Sequence, residues 1–202
     1  LSNLVVRCLI LKHSEANCKM VASGKYQDEI GYLVASKARN NFIRNLALKI
    51  KGNTLCLFQL VEKHGRNLFE IINDKAEKDR KVFYIYGGVE AEEREKIRAI
   101  VEKENNAIIV ASYGTFSTGI NIKNLHNIIF ASPSKSRIRN LQSIGRGLRL
   151  GDNKVNATLY DIADDLQYKS KENFTLKHFQ ERINIYTEEE FDYEMHNINL
   201  KD

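Results

Sequence analysis

Four polar side chains suited to binding phosphate lie in the segment RIRNLQSIGRGLR, residues 137–149. In a helix, Arg139, Gln142, Arg146 and Arg149 would share one arc of the surface, because they recur every three or four residues. Each guanidinium group offers paired donors that match the oxygens of a phosphate. A solvated basic helix face has the same charge spacing, so the arginines alone leave both interpretations open.

A second candidate phosphate-binding segment is ASYGTFSTGINI, residues 111–122. Hydroxyl side chains follow the apolar run AIIVA, and Gly114 and Gly119 leave the backbone accessible. Backbone N–H groups at the start of a helix could then meet a phosphate. The alternative is a polar loop at a sheet edge, in which the hydroxyls cap a short helix.

Several other kinds of site are missing from the sequence. There is no G-x-x-x-x-G-K-[ST] loop to hold the β- and γ-phosphates of a nucleotide, and no Asp-Glu pair after a strand to hold Mg²⁺. Asp164 and Asp165 follow a predicted strand, but they lie downstream of residues 137–149, and we expect them to cap a helix. Cys8, Cys18 and Cys56 lack C-x-x-C spacing, so the sequence predicts neither a zinc site nor a disulfide framework. Free cysteines of this kind indicate a reducing compartment.

Short apolar runs alternate with amphipathic stretches along the chain. This pattern predicts an α/β fold with a doubly wound, mostly parallel sheet and helices on both faces. The predicted strands are residues 4–11, 54–58, 81–85, 107–111, 127–131 and 157–162. The predicted helices are residues 26–50, 61–76, 91–101, 136–146 and 174–186.

Composition indicates one globular domain, because 43% of the 202 residues are hydrophobic and 28% are charged. The net charge of +5 is compatible with a polyanionic partner. No run reaches the roughly 18 apolar residues of a membrane span.

The chain divides into three segments. We assign residues 1–25 to an N-terminal strand and interdomain connector, 26–187 to the domain, and 188–202 to an acidic tail. Because the chain starts with Leu1, we expect it to be a piece of a longer polypeptide.

Four motifs, which follow one another along the chain as IV, a glycine turn, V and VI, resemble those of superfamily 2 helicases. Gln142, Gly145, Arg146 and Arg149 form the pattern Q-x-x-G-R-x-x-R, which resembles motif VI. Residues 111–122 resemble motif V, and residues 53–59, NTLCLFQ, resemble motif IV. Residues 84–94, YIYGGVEAEER, resemble the glycine-containing turn that follows motif IV. The order is typical of the second RecA-like motor domain of these enzymes.

The resemblance implies an ATP-dependent DNA helicase. Gln142, Arg146 and Arg149 would act on the phosphates of ATP, and Gly119 and Asn121 would approach the nucleotide. ATP and Mg²⁺ would be held mainly by a preceding N-terminal RecA-like domain, so this chain alone would be inactive. The residues implied to contact nucleic acid are Gln59, Gly87, Gly88, Ser112, Tyr113 and Thr115.

Residues 25–55 and 112–149 closely resemble the recombination and branch-migration helicases of T-even phages. This resemblance implies a protein of the cytoplasm of an infected bacterial cell that has no membrane partner. It also implies a role in recombination, replication and repair. The implied partners are DNA single strands, forks and junctions, RNA–DNA hybrids, and the chain's own N-terminal domain. A non-catalytic nucleic-acid-binding α/β module is the alternative. A Rossmann-like enzyme is disfavoured, because no G-x-G-x-x-G turn follows an early strand.

Overall fold

The computed structural model describes residues 4–117, 124–133 and 157–201. Within these residues, the strands are β1 (Leu4–Lys12), β2 (Thr54–Phe58), β3 (Val82–Ile85), β4 (Ile108–Ser112), β5 (Asn127–Phe130), β6 (Ala157–Asp165) and β7 (Asp192–Asn199). They form one sheet in the order β3–β4–β2–β5–β6–β1–β7. Every neighbouring pair is parallel. The carboxyl ends of all these strands therefore lie along one edge of the sheet.

Helices connect the strands on both faces of the sheet. The helices in the described ranges are α1 (Glu15–Ala22), α2 (Tyr26–Ala35), α3 (Lys37–Lys49), α4 (Arg66–Lys75), α5 (Ala91–Glu102), α6 (Tyr113–Ser117) and α7 (Phe174–Glu188). A π-helical turn, Val61–Gly65, leads into α4. None of these helices combines the length and apolar character needed to cross a bilayer. The helix predicted over 136–146 lies outside the described residues.

Two hydrophobic cores lie on opposite faces of the sheet, and alternate residues of β2 enter each of them. Leu55 and Leu57 pack in the core that α5 and α7 cover, whereas Cys56 and Phe58 pack in the core that α3 and α4 cover. Because both faces are covered, all five residues of β2 are buried. The predicted doubly wound α/β fold is confirmed.

The predicted helix over residues 26–50 is divided into α2 and α3 at Ser36. The Ser36 hydroxyl accepts a hydrogen bond from the Arg39 N–H at 3.2 Å and so caps the start of α3. The apolar stripe continues through both helices, so its periodicity does not reveal the break. The break brings Arg39 and Asn40, in the first turn of α3, into the protein interior.

Both ends of the chain contribute more regular structure than the sequence predicts. Residues 12–25, expected to be a connector, contain α1, which Ser14 caps through the Asn17 N–H at 3.3 Å. Residues 188–202, expected to be an acidic tail, contain β7, which pairs with β1. The expectation that Asp164 and Asp165 cap a helix is wrong, because they are the last two residues of β6.

Candidate nucleic-acid interface and its supporting network

The residues predicted to contact nucleic acid gather at the carboxyl ends of three neighbouring strands. Gly87 and Gly88 follow β3, Ser112 ends β4, and Gln59 follows β2. In the sheet these strands lie side by side in the order β3–β4–β2. Phe58 pairs with Ser112 across β2 and β4, which places Gln59 beside the start of α6. The structure therefore brings these predicted residues to one edge, which we call the β3–β4–β2 edge.

The turn after β3 presents an accessible backbone. It is closed by a hydrogen bond from the Val89 N–H to the Tyr86 carbonyl at 3.0 Å, and Gly87 and Gly88 are exposed at its tip. A Cβ at Gly87 would have no heavy atom within 4 Å, whereas one at Gly88 would lie 2.7 Å from Cε2 of Tyr86. An extended phosphate backbone could therefore approach this turn closely.

The loop after β4 presents backbone more than side chains. Ser112, Tyr113 and Thr115 are all buried, whereas Gly114 between them is exposed. The Ser112 Oγ accepts from the Thr115 N–H at 3.3 Å and lies 2.5 Å from the Thr115 Oγ1. The Tyr113 ring packs edge-on against Phe130, with centroids 5.9 Å apart. These side chains hold the loop in shape and leave the Gly114 backbone on the surface.

A buried chain of hydrogen bonds lies behind Gln59. The Gln59 backbone N–H donates to Oγ of Ser132 at 2.8 Å, and the Ser132 hydroxyl lies 2.8 Å from Nδ1 of His64. Nε2 of His64 lies 3.0 Å from Oδ1 of Asn40, whose Nδ2 donates to the Val34 carbonyl at 3.0 Å. One arrangement satisfies every group: Ser132 donates to Nδ1, and Nε2 carries the proton and donates to Asn40.

The protonation state of His64 supports this arrangement. Burial and, to a smaller extent, the nearby Arg39 charge lower the pKa of His64 to about 3, although Asp164 acts in the opposite direction. His64 is therefore neutral at physiological pH and can accept at one ring nitrogen while it donates at the other. Sequence reasoning missed this residue, because a lone histidine in a polar stretch carries no pattern that points to its partners.

A second buried cluster joins the ends of β1, β5 and β6. Nε of Arg39 lies 2.9 and 3.1 Å from the two carboxylate oxygens of Asp164, and its Nη1 donates to the Ala131 carbonyl at 2.7 Å. Nε2 of His13 lies 2.8 Å from Asp164 Oδ1, and its Nδ1 lies 2.9 Å from the Tyr32 hydroxyl. We call these side chains the Arg39–Asp164 cluster.

The charges in the Arg39–Asp164 cluster compensate one another. Burial by itself would raise the pKa of Asp164, but the Arg39 charge and the hydrogen bonds from His13 and Arg39 hold it well below its usual range. Asp164 is therefore an anion and Arg39 a cation, although both are fully buried. The cluster fixes Ala131 and Ser132, from which the chain leaves β5.

A third buried group supports the opposite face of the sheet. Arg182 of α7 donates to both carboxylate oxygens of Asp161 in β6, at 2.7 and 2.8 Å, and the Tyr186 hydroxyl donates to the same carboxylate.

The Glu29 carboxylate lies at the start of α7. It accepts hydrogen bonds from the backbone N–H groups of Phe174 and Thr175 at 3.0 and 2.7 Å. Negative charge is favoured at a helix N-terminus, so Glu29 fixes the position of α7.

The predicted nucleotide-binding and catalytic residues lie outside the described residues. These residues are Gly119, Asn121, Gln142, Arg146 and Arg149. The described ranges before them end at Ser117, the last residue of α6, and at Pro133 after β5. The roles assigned to them stay predictions.

Comparison with known proteins decides the family. Residues 37–151 match the family described as the helicase conserved C-terminal domain. The chain belongs to this family. The resemblance to the second RecA-like domain of superfamily 2 helicases is thereby confirmed.

One phage helicase is similar to this helicase C-terminal domain in both sequence and structure. The domain is 35% identical to the ATP-dependent DNA helicase uvsW of Enterobacteria phage T4 over 212 residues, covering 98% of this chain and 41% of the relative. It matches the crystal structure of T4 UvsW with a TM-score of 0.87 and 35% identity, over 98% of this chain and 42% of that chain. The chain thus spans about two-fifths of the length of this relative.

More distant structures share the fold of the helicase C-terminal domain. Domain 2 of the DEAD-box helicase Mss116p, solved with an RNA duplex, matches with a TM-score of 0.55. That match is 12% identical and covers 96% of this chain and 64% of the other. It supports the RecA-like architecture alone.

Proposed function

We propose that the chain is the second motor domain of an ATP-dependent DNA helicase that remodels branched DNA and RNA–DNA hybrids. The observation that carries the proposal is the match of residues 37–151 to helicase C-terminal domains. The β3–β4–β2 edge supports it, because the residues expected to contact nucleic acid lie together there. The similarity to an ATP-dependent DNA helicase of a phage supports helicase activity of the intact protein. The resemblance of residues 25–55 and 112–149 to recombination helicases of T-even phages implies branch migration and unwinding of R-loops as the finer activity.

In the proposed mechanism, this domain completes an ATP site that a preceding RecA-like domain begins. Arg146 and Arg149 would stabilise the charge that develops on the transferring phosphoryl group. Asp164 is buried between Arg39 and His13, and its carboxylate is taken up by these two side chains, so it is not suited to bind a magnesium ion. We therefore assign Mg²⁺ to the preceding domain. Closure of the two domains on ATP and their reopening after hydrolysis would move the strand held at the β3–β4–β2 edge.

The first test compares ATP hydrolysis by this chain with hydrolysis by the intact protein. We expect the purified 202-residue chain to show no significant turnover, because its sequence lacks the loop that holds the β- and γ-phosphates. The intact protein should hydrolyse ATP in response to DNA. Steady-state phosphate release measures both. Robust turnover by this chain alone would contradict the proposal, and DNA binding by the intact protein without hydrolysis would favour the non-catalytic module.

The second test concerns how the domain holds nucleic acid. The β3–β4–β2 edge offers mainly backbone, so binding to single strands should be weak and indifferent to base sequence. We expect log K to fall with log[salt] at a slope of about −0.7 for each phosphate contacted. Fluorescence anisotropy with two unrelated oligonucleotides over a salt series measures this. A strong preference for one sequence, or an affinity independent of salt, would contradict a backbone contact.

A variant at the turn after β3 locates the contact. Gly87→Asp adds a negative charge where a side chain meets no neighbour. We expect it to weaken binding of both oligonucleotides about fivefold, because two unit charges 4 Å apart in water repel by about 1 kcal/mol. Gly31→Asp is the matched control, since Gly31 is also exposed with open space around it but lies on α2. Equal effects of the two variants would place the contact elsewhere.

A further inference from the structure

The outermost strand, β7, has one side along which no described residue forms hydrogen bonds of the sheet. Among the described residues, β7 pairs only with β1. The Leu200 N–H donates to the Lys12 carbonyl at 3.0 Å, and the His13 N–H donates to the Asp165 carbonyl of β6 at 3.2 Å. Successive residues of a strand direct their backbone groups to opposite sides, so the even-numbered residues of β7 face β1. The residues whose backbone groups face outwards are Tyr193, Met195, Asn197 and Asn199.

The charged side chains of β7, Asp192 and Glu194, disfavour an acidic neighbouring strand but leave the addition of a basic one open. All of its residues except Ile198 are exposed, and its register with β1 is unbroken over eight residues. Natural sheet edges are usually protected by proline, lysine, a bulge or a very short strand. The sequence DYEMHNIN has neither proline nor lysine. An open edge of this length is a template for β-strand addition.

The negative charge near β7 favours a positively charged partner. Residues 188–202 contain six acidic residues and one basic residue, a net charge of −5, whereas the whole chain carries +5, which leaves +10 on residues 1–187. Glu188, Glu189 and Glu190 are separated from the strand by Phe191 alone, and Asp192 and Glu194 lie on it. Such an edge repels nucleic acid and attracts a basic polypeptide.

The two faces of β7 differ in a way that fits one type of strand. Tyr193 and Met195 project from one face and are exposed by 37% and 49%, whereas Asp192 and Glu194 project from the other. We propose that this edge binds an extended segment of a partner protein in which apolar residues alternate with lysine or arginine. The apolar residues of that segment would cover Tyr193 and Met195, and its basic residues would face Asp192 and Glu194. This surface is separate from the proposed helicase activity.

Peptide binding to the full 202-residue chain tests the proposal. The probes are two fluorescein-labelled eight-residue peptides, one of alternating lysine and valine and one with glutamate in place of lysine. We expect the basic peptide to bind at least about tenfold more tightly in fluorescence anisotropy at low salt. Equal binding of the two peptides would overturn the proposal.

Variants of β7 separate strand addition from simple charge attraction. Asn197→Pro removes an outward N–H and leaves the hydrogen bonds to β1 in place, since proline is tolerated where the N–H of an edge strand faces solvent. We expect it to weaken binding of the basic peptide about tenfold, while Asn197→Ala, which keeps the N–H, binds normally. Equal affinities of the two variants, each with the thermal unfolding midpoint of the unaltered chain, would overturn the proposal.

Two further measurements complete the test. Glu194→Lys reverses a charge without touching the backbone, so it should weaken binding of the basic peptide and strengthen binding of the acidic one. No change in either affinity would overturn the choice of a basic partner. Sedimentation of the chain without peptide should show a monomer. A dimer that Asn197→Pro abolishes would also overturn the proposal, because the occupant of the edge would then be a second copy.

Discussion

Replacing either Arg146 or Arg149 by alanine in the intact protein is expected to lower kcat for ATP hydrolysis by about 10²- to 10⁴-fold. The reason is that a guanidinium group which stabilises the transferring phosphoryl group acts in the transition state more than in the ground state. Affinity for DNA should stay within a few-fold of the unaltered protein. Steady-state phosphate release and fluorescence anisotropy measure the two effects separately.

The control for these variants is Arg139→Ala, because the sequence spacing puts Arg139 on the same predicted helix face but outside the Q-x-x-G-R-x-x-R pattern. It should have a milder effect on kcat. If the Arg146 and Arg149 variants kept normal turnover and lost DNA binding instead, the segment would be a basic nucleic-acid-binding face, the interpretation that charge spacing alone leaves open.

Asp164→Asn is expected to lower the free energy of unfolding by about 3–5 kcal/mol. The substitution preserves the shape of the side chain but leaves the buried Arg39 cation without its counter-charge. Urea denaturation followed by circular dichroism measures the change. Glu62→Gln is the matched control, because it makes the same kind of change in the Glu62–Arg66 pair, whose side chains are 71% and 52% exposed. That control should cost less than about 1 kcal/mol.

The same variant should alter the dependence of stability on pH. The pKa of Asp164 is lower in the folded protein than its ordinary value of 3.8. The stabilisation it provides is therefore complete above that value and is lost as the pH falls below it, because the unfolded chain takes up the proton first. The Asp164→Asn variant should show a shallower loss of stability between about pH 5 and pH 2. An acid-unfolding profile parallel to that of the unaltered chain, or a cost no larger than that of Glu62→Gln, would contradict the role given to Asp164.

Much of the sheet could be predicted from the sequence, because strands covered on both faces must be apolar throughout. The runs that became β2, β4 and β5 are of this kind. The same reasoning fails for β7, whose faces are largely uncovered, so its residues form no apolar run and alternate only over the first part of the strand. The helix pattern likewise does not reveal the break at Ser36, because the apolar stripe continues from α2 into α3 although the Ser36 hydroxyl caps the start of a new helix.

The candidate site could be predicted only where local pattern carries the signal. Hydroxyls and glycines after the apolar run AIIVA indicated a phosphate-binding segment after β4, whereas Gln59, Gly87 and Gly88 came from the resemblance to helicase motifs. The Arg39–Asp164 cluster could not be found in this way. Its two charged residues lie 125 positions apart and become neighbours only through the fold. Periodicity placed Arg39 in a helix, and the position of Asp164 after a predicted strand suggested a helix cap, with no relation between the two residues.

The position of β1 between β6 and β7 has a consequence for biosynthesis. Leu4 pairs with Ala157 and Val5 with Asp192, so β1 is completed by strands that follow it by more than 150 residues in the sequence. During synthesis on the ribosome, neither of these pairings can form until residues 157–199 have been made. Contacts of such long sequence separation slow folding. During this interval the largely apolar segment from Leu4 to Leu11 is open to wrong pairing, which a chaperone that binds apolar segments would prevent.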